Sequence, residues 1–200
     1  MKSKSLLRRT QAKEKLRSKI VREAEKIYSK EGFEAVTMRR LADSISYTAT
    51  TLYLYFHNRE AIFAELAKQS YEKLDASLAT ATRKLSALED LHHGLETTLR
   101  FGLSAPKDFF LLFPNMPSTC QWGEGTRILK WFEDKLRASC LETRAQWIAP
   151  PPETASMMLS AVYGMVTFGT RFQPEMATTF LRYRKSVTHN LVESFKTSAN

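Results

Sequence analysis

The chain has little of what catalytic and secreted proteins are usually built around. Its 200 residues include two cysteines, four histidines and seven glycines. Cys120 and Cys140 form neither a CxxC pair nor a metal-ligand spacing, so a disulfide scaffold is not expected, and a reducing cytoplasm is the natural setting. His92 and His93 are neighbours and point in different directions on a helix, whereas a helical metal pair needs a spacing near four. His57 falls at a helix junction, and His189 stands alone. No metal site and no cofactor is expected. No glycine-rich phosphate loop and no G-x-S-x-G elbow occurs, so nothing positive supports an enzyme. Apolar runs are short as well. The most apolar one, residues 155–170, is too short and too rich in Ser, Thr and Gly to cross a bilayer. The N-terminus is basic, but the apolar run of a secretion signal does not follow it.

What is present is an ordinary globular composition, 43% hydrophobic and 26% charged, with a net charge of +9. The excess is a block. Residues 1–19 carry eight Lys or Arg against one Glu, while residues 20–60 carry six of each sign. Such a block is expected to meet phosphates or a minor groove if a DNA-reading element lies beside it.

One does. From Thr37 to Phe56 the chain reads as two short helices joined by a tight turn. Thr37 is placed to cap the first helix, and Leu41, Ala42 and Ile45 recur on one of its faces. Residues 44–47 make the turn, and Thr48 is a second N-cap. Leu52 and Phe56 then point inward, which leaves Ala49, Thr50, Thr51 and Tyr53 at an exposed helix start suited to a major groove. Residues 17–63 resemble the DNA-binding domain of the TetR family of transcriptional regulators. The matching positions are Arg17, Ile20, Ala24, Ile27, Tyr28, Gly32, Phe33, Thr37, Leu41, Ala42, Leu52, Tyr53, Phe56, Arg59 and Ile62. The family usually has Gly where this chain has Ser46, His at Tyr55, and often Gly at Thr50. Ser46 fits there provided its backbone is not strictly left-handed.

The rest of the chain reads as further helices. Residues 1–12 lack apolar periodicity and are expected to be a disordered basic arm. Helix 1 should run from about Lys13 to Glu31 and end at Gly32. Asn58 should cap a long helix to about Thr82, with Arg59 at its start. A cation is disfavoured at that end, so an outward phosphate contact is the better explanation of Arg59. Ser86-Ala87-Leu88-Glu89 is a capping-box signature for a helix to about Ser104. Pro106 breaks it, and Asp108 can start a short apolar helix through Phe113. Residues 114–125 read as a loop. Helices are then expected at about 126–147, 153–171 and 175–196, the last with Met176, Phe180, Tyr183, Val187, Leu191 and Phe195 as its apolar markers.

These readings combine into an all-α protein: an N-terminal three-helix helix-turn-helix DNA-binding domain (residues 13–60) and a C-terminal helical ligand-binding and dimerisation domain (residues 61–200). The expected function is that of a sequence-specific regulator, a repressor released from a palindromic operator by a small molecule. Thr48, Ala49, Thr50, Thr51 and Tyr53 are the groove and adjacent-phosphate candidates. Thr37, Arg39, Arg40, Tyr55 and Arg59 are the backbone-positioning ones. Tyr53 and Tyr55 have a competing role in packing between helices. The partners implied are double-stranded DNA, a second copy through about residues 153–196, and no membrane. The last partner is a hydrophobic or aromatic effector lined by some of Phe109, Phe110, Phe113, Trp122, Trp131, Met157, Met158, Met165 and Phe168. Two other readings stay open: a helical receptor without gene control, and a sequence-indifferent DNA binder working through the basic arm.

Overall fold

The computed structural model describes residues 2–81, 86–113 and 123–197. Among them run nine α-helices: α1 Lys2–Glu31, α2 Met38–Ser44, α3 Ala49–Tyr53, α4 Arg59–Ala81, α5 Ala87–Ser104, α6 Pro106–Leu112, α7 Gly123–Thr143, α8 Pro151–Thr167 and α9 Glu175–Ser194. The chain divides into two compact units between Lys68 and Gln69, so α4 contributes to both. The expected loop at 114–125, with Cys120 and Trp122, lies largely outside the described residues, as does Thr82.

In the N-terminal unit, α1 buries Ile20, Val21, Ala24 and Ile27, the stripe expected of a helix with one covered face. Gly32, at φ +86°, stops it in a conformation that costs a side chain steric energy. A 3-10 turn, Phe33–Ala35, then drops Val36 into the core. Phe63 receives the rings of Phe33 and Tyr28 at centroid distances of 4.3 and 5.6 Å. Leu41, Leu52, Phe56, Ile62 and Leu66 complete this small core.

The helix α1 begins at Lys2, ahead of the expected start at about Lys13. Residues 2–19 contain no Gly or Pro and are mostly good helix formers, so nothing interrupts backward propagation from the packed half. Leu7 remains 58% exposed. Residues 10–15 are exposed, and packing begins at half-buried Leu16 and Arg17.

In the C-terminal unit, α5 is the central element. Leu91, Leu95 and Leu99 are fully buried at four-residue intervals, and α6, α7, α8 and α9 all pack against the helix. Its start is a complete capping box: Ser86 accepts from the Glu89 N–H, and the Glu89 carboxylate accepts from the Ser86 N–H at 2.9 Å. Gly94 is required by Trp131, whose ring would lie 2.6 Å from any Cβ placed there. Facing α5, α7 supplies Ile128, Phe132 and Leu136, and α8 supplies Met158, Val162 and Val166.

Three boundaries differ from expectation. Pro106, not Asp108, opens α6, since the first helical position needs no N–H. Next, α7 stops at Thr143, and Arg144 takes a left-handed φ of 55°. Trp147 forms an antiparallel bridge with Lys196 instead, donating its indole N–H to the Ser139 hydroxyl at 3.3 Å. Finally, α8 gives way to a π-helical turn, Phe168–Phe172, that sets Gly169 against the backbone of Ala177 at the start of α9. Along α9 the buried residues are Thr188 and Val192, while Tyr183, expected on the covered face, is 55% exposed.

Candidate nucleic-acid interface

The helix-turn-helix is built by its caps. Thr37 Oγ1 accepts from the Arg40 N–H at 3.2 Å and starts α2. Thr48 Oγ1 does the same for α3 from the Thr51 N–H at 3.2 Å, and its hydroxyl also lies 2.9 Å from that of Thr51. Between them Ser46 has φ 60°, so it does adopt the left-handed backbone that the sequence argument required it to avoid. The turn's hydrogen bonds, including Tyr47 N–H to Ala42 O at 2.9 Å, hold it there. Lys19 closes the same corner, donating to the Ile45 carbonyl at 3.2 Å with its ammonium 5.5 Å from the Tyr47 ring centre.

Most of the candidate residues lie on the outside of this unit. Thr37, Arg39, Arg40, Thr48, Thr50 and Tyr53 are exposed; Ala49, Thr51, Tyr55 and Arg59 are half-buried. Leu52, between them, is fully buried, so α3 is anchored by one side chain and presents the others. Two of the basic candidates have internal partners. Arg40 makes a two-pronged contact with Glu31, at 2.8 and 2.5 Å, which raises the guanidinium's already high pKa and lowers that of the carboxylate. Arg59 stacks on Phe33 with its Cζ 4.1 Å from the ring centre, and reaches Glu34 at 3.4 Å and Glu60 at 3.6 Å. Tyr47, 43% exposed beside Lys19, is a surface aromatic that sequence reasoning treated only as part of the turn. Its exposure follows from the left-handed step at Ser46, which periodicity cannot reveal.

The proposed effector-lining residues are dispersed. Phe109 and Met158 are core, Phe110, Phe113, Trp131 and Met165 pack half-buried around it, Met157 is half-buried, and Phe168 is 43% exposed. Within that shell the Tyr163 hydroxyl and the Thr167 Oγ1 are buried without a hydrogen-bond partner among the described residues. Tyr163 meets the rings of Phe109 and Phe110 at centroid distances of 6.1 and 5.7 Å.

His189 is not alone. Its ring stacks on that of His92 at 4.7 Å, and Glu193, one turn further along α9, approaches His92 Nε2 at 3.4 Å. The signal was present in the sequence as the four-residue spacing of His189 and Glu193, whereas the adjacent His92 and His93 concealed it. Burial, and then the neighbouring His189, hold His92 below the ordinary imidazole pKa. Lys196, hydrogen-bonded at 2.6 Å, holds Glu193 below the ordinary carboxylate value.

Among the described residues no helix is long and apolar enough to cross a membrane. Residues 20–66 match the family of bacterial regulatory proteins, tetR family. No curated protein sequence matches the chain. Solved structures share the whole fold at low identity. A TetR/AcrR family transcriptional regulator from Thermobifida fusca aligns with a TM-score of 0.63 at 18% identity, covering 89% of this chain and 97% of its own. The MbdR regulator from Azoarcus sp. CIB gives 0.62 at 20%, with 86% and 96% covered. The ketosteroid transcriptional regulator KstR2 of Mycobacterium tuberculosis gives 0.62 at 14%, with 91% and 95% covered. Residues 20–66 are thus a tetR-family regulatory head by sequence, and the two units share the fold of solved TetR-family regulators.

Proposed function

We propose that the protein is a homodimeric repressor that binds a palindromic operator and leaves it when a small molecule binds the C-terminal unit. The observation that carries this reading is the start of α3, capped by Thr48 and anchored by buried Leu52, with Thr50 and Tyr53 turned outward beside a basic α1. Two such heads, related by two-fold symmetry, read half-sites about one helical turn of DNA apart or more. Thr48, Ala49, Thr50, Thr51 and Tyr53 serve the groove and its rim. Thr37, Arg39, Arg40, Tyr55 and Arg59 position the phosphates, and the basic stretch of residues 2–19 adds salt-dependent affinity.

Support for the dimer comes from the C-terminal helices. Phe172 and Tyr183 are 71% and 55% exposed, and a Cβ at Gly164 would meet open space. A second α8–α9 pair covering these groups gives a four-helix interface. Support for an apolar effector comes from the aromatic shell around Tyr163, where the Tyr163 and Thr167 hydroxyls are buried without partners among the described residues. Effector binding then favours a dimer geometry whose head spacing no longer matches the operator.

The test is selection of bound fragments from the source genome at near-physiological salt. A recovered palindrome supports the reading. Random fragments, or none, overturn it.

A further inference from the structure

The imidazoles of His92 and His189 and the carboxylate of Glu193 offer three ligand atoms that all lie within 4.8 Å of one another, although they come from two separate helices. We infer that these three residues bind a single transition-metal dication of the zinc type, clamping α9 to α5.

The donor set comes first. Two imidazoles and one carboxylate suit Zn²⁺, Co²⁺ or Ni²⁺, whereas an oxygen-only cluster would favour magnesium or calcium. His189 and Glu193 are four apart on α9, so they project from one face of the helix, and His92 meets them from α5. Distances come next. Ligands of a tetrahedral zinc stand about 3.4 Å apart, given bonds of about 2.1 Å. His92 Nε2 and Glu193 Oε1 are already at 3.4 Å. The remaining separations close by small rotations of two exposed side chains, His189 and Glu193. The site opens into a groove of about 460 Å³, which leaves room for water in a fourth position.

His92 turns Nε2 toward Glu193, while its Nδ1 is buried with no hydrogen-bond partner among the described residues. The groups around the site define its competitor. Lys196 holds Glu193 at 2.6 Å and must yield when the metal arrives, and Lys185 adds a second positive charge to the groove. Glu96 is already held by Arg184 at 2.8 Å, and His93, exposed, lines the same groove but is not among the three clustered ligand atoms.

The experiment titrates the tag-free full chain with Co²⁺, read by visible d–d absorption, followed by competition with Zn²⁺ and by thermal unfolding. The expected result is one Co²⁺ per chain, displaced by Zn²⁺, with Zn²⁺ raising the Tm. His189→Ala and Glu193→Gln should each weaken binding about tenfold or more, while Lys196→Gln should tighten it and His93→Ala should leave it unchanged. Because His189 and Glu193 are exposed, their variants are expected to fold, and circular dichroism checks that they do. Absence of stoichiometric binding overturns the inference. So does binding undiminished in the His189→Ala/Glu193→Gln double variant, which would mark an adventitious ion held elsewhere.

Discussion

Arg59 lies across the face of Phe33, its guanidinium carbon 4.1 Å from the ring centre. A cation at the first position of α4 opposes the helix dipole, and its position there could be explained from sequence only by a phosphate outside the protein. The stacking, reinforced by Glu34 and Glu60, gives it an internal reason to stand there. Arg59→Gln should therefore destabilise the protein by about 1 kcal/mol in denaturant melts. Binding measured over a salt series then separates the two roles. A slope reduced by about one adds a phosphate contact, and an unchanged slope assigns the residue to packing alone.

Tyr53 is the sharpest test of the interface. Its ring is 53% exposed on α3, so truncation removes little core. Tyr53→Ala should weaken operator binding about tenfold or more, with Tm and dimerisation near the parent's. Gel-shift titration beside a thermal melt decides it. Unfolding of the variant would make Tyr53 a packing residue.

How much of this was legible beforehand depends on what each feature rests on. Thr37, Thr48, Asn58 and the Ser86–Glu89 box are local: a side chain bonding an N–H three residues away is written in the spacing. The Leu91–Leu95–Leu99 stripe is equally local. By contrast, Arg59 meets Phe33 and Arg40 meets Glu31 at the end of α1, and the meeting of His92 with His189 joins helices almost a hundred residues apart. Periodicity carries no information on such encounters. The π turn after α8 was missed because it breaks the very rhythm used to find helices.

Ser46 stands where the backbone turns left-handed, at φ 60°. An L side chain there costs about 1 kcal/mol, a cost glycine avoids. Ser46→Gly should raise stability by about 1 kcal/mol, less what glycine adds to the entropy of the unfolded chain. A chemical melt measures it, and a destabilised variant would show that the Ser46 side chain makes a contact that outweighs its strain.

Arg17 and Glu65 tie α1 to α4 within the head at 2.7 Å. Arg17's hydrogen bond holds the Glu65 carboxyl below its ordinary value, so the folded state favours the ionised form. The stabilisation is thus complete at neutral pH. It fades as pH falls below the ordinary glutamate value of about 4.3 and through the lowered one. Both groups retain solvent contact, which keeps the contribution under about 1 kcal/mol. Glu65→Gln should cost that amount at pH 7, with the gap to the parent closing in acid. A gap constant across pH would mean that packing, not charge, is lost.

Lys135 and Asp90 pose the opposite case, a carboxylate only 5% exposed that faces one ammonium from α7 at 2.5 Å. Its second oxygen is buried without a partner, so Lys135 supplies the compensation the described residues offer. Lys135→Met should leave the charge buried and unpaired, at a cost of about 3 kcal/mol. Replacing both partners removes the desolvation problem along with the attraction. Asp90→Leu in the Lys135→Met background should therefore recover most of the loss, since a buried ion pair and an apolar pair of similar volume are often close in stability. Equilibrium unfolding of the two single variants and the double variant closes the cycle. A double variant as unstable as Lys135→Met alone would locate the damage in packing around α5 and α7, not in the stranded carboxylate.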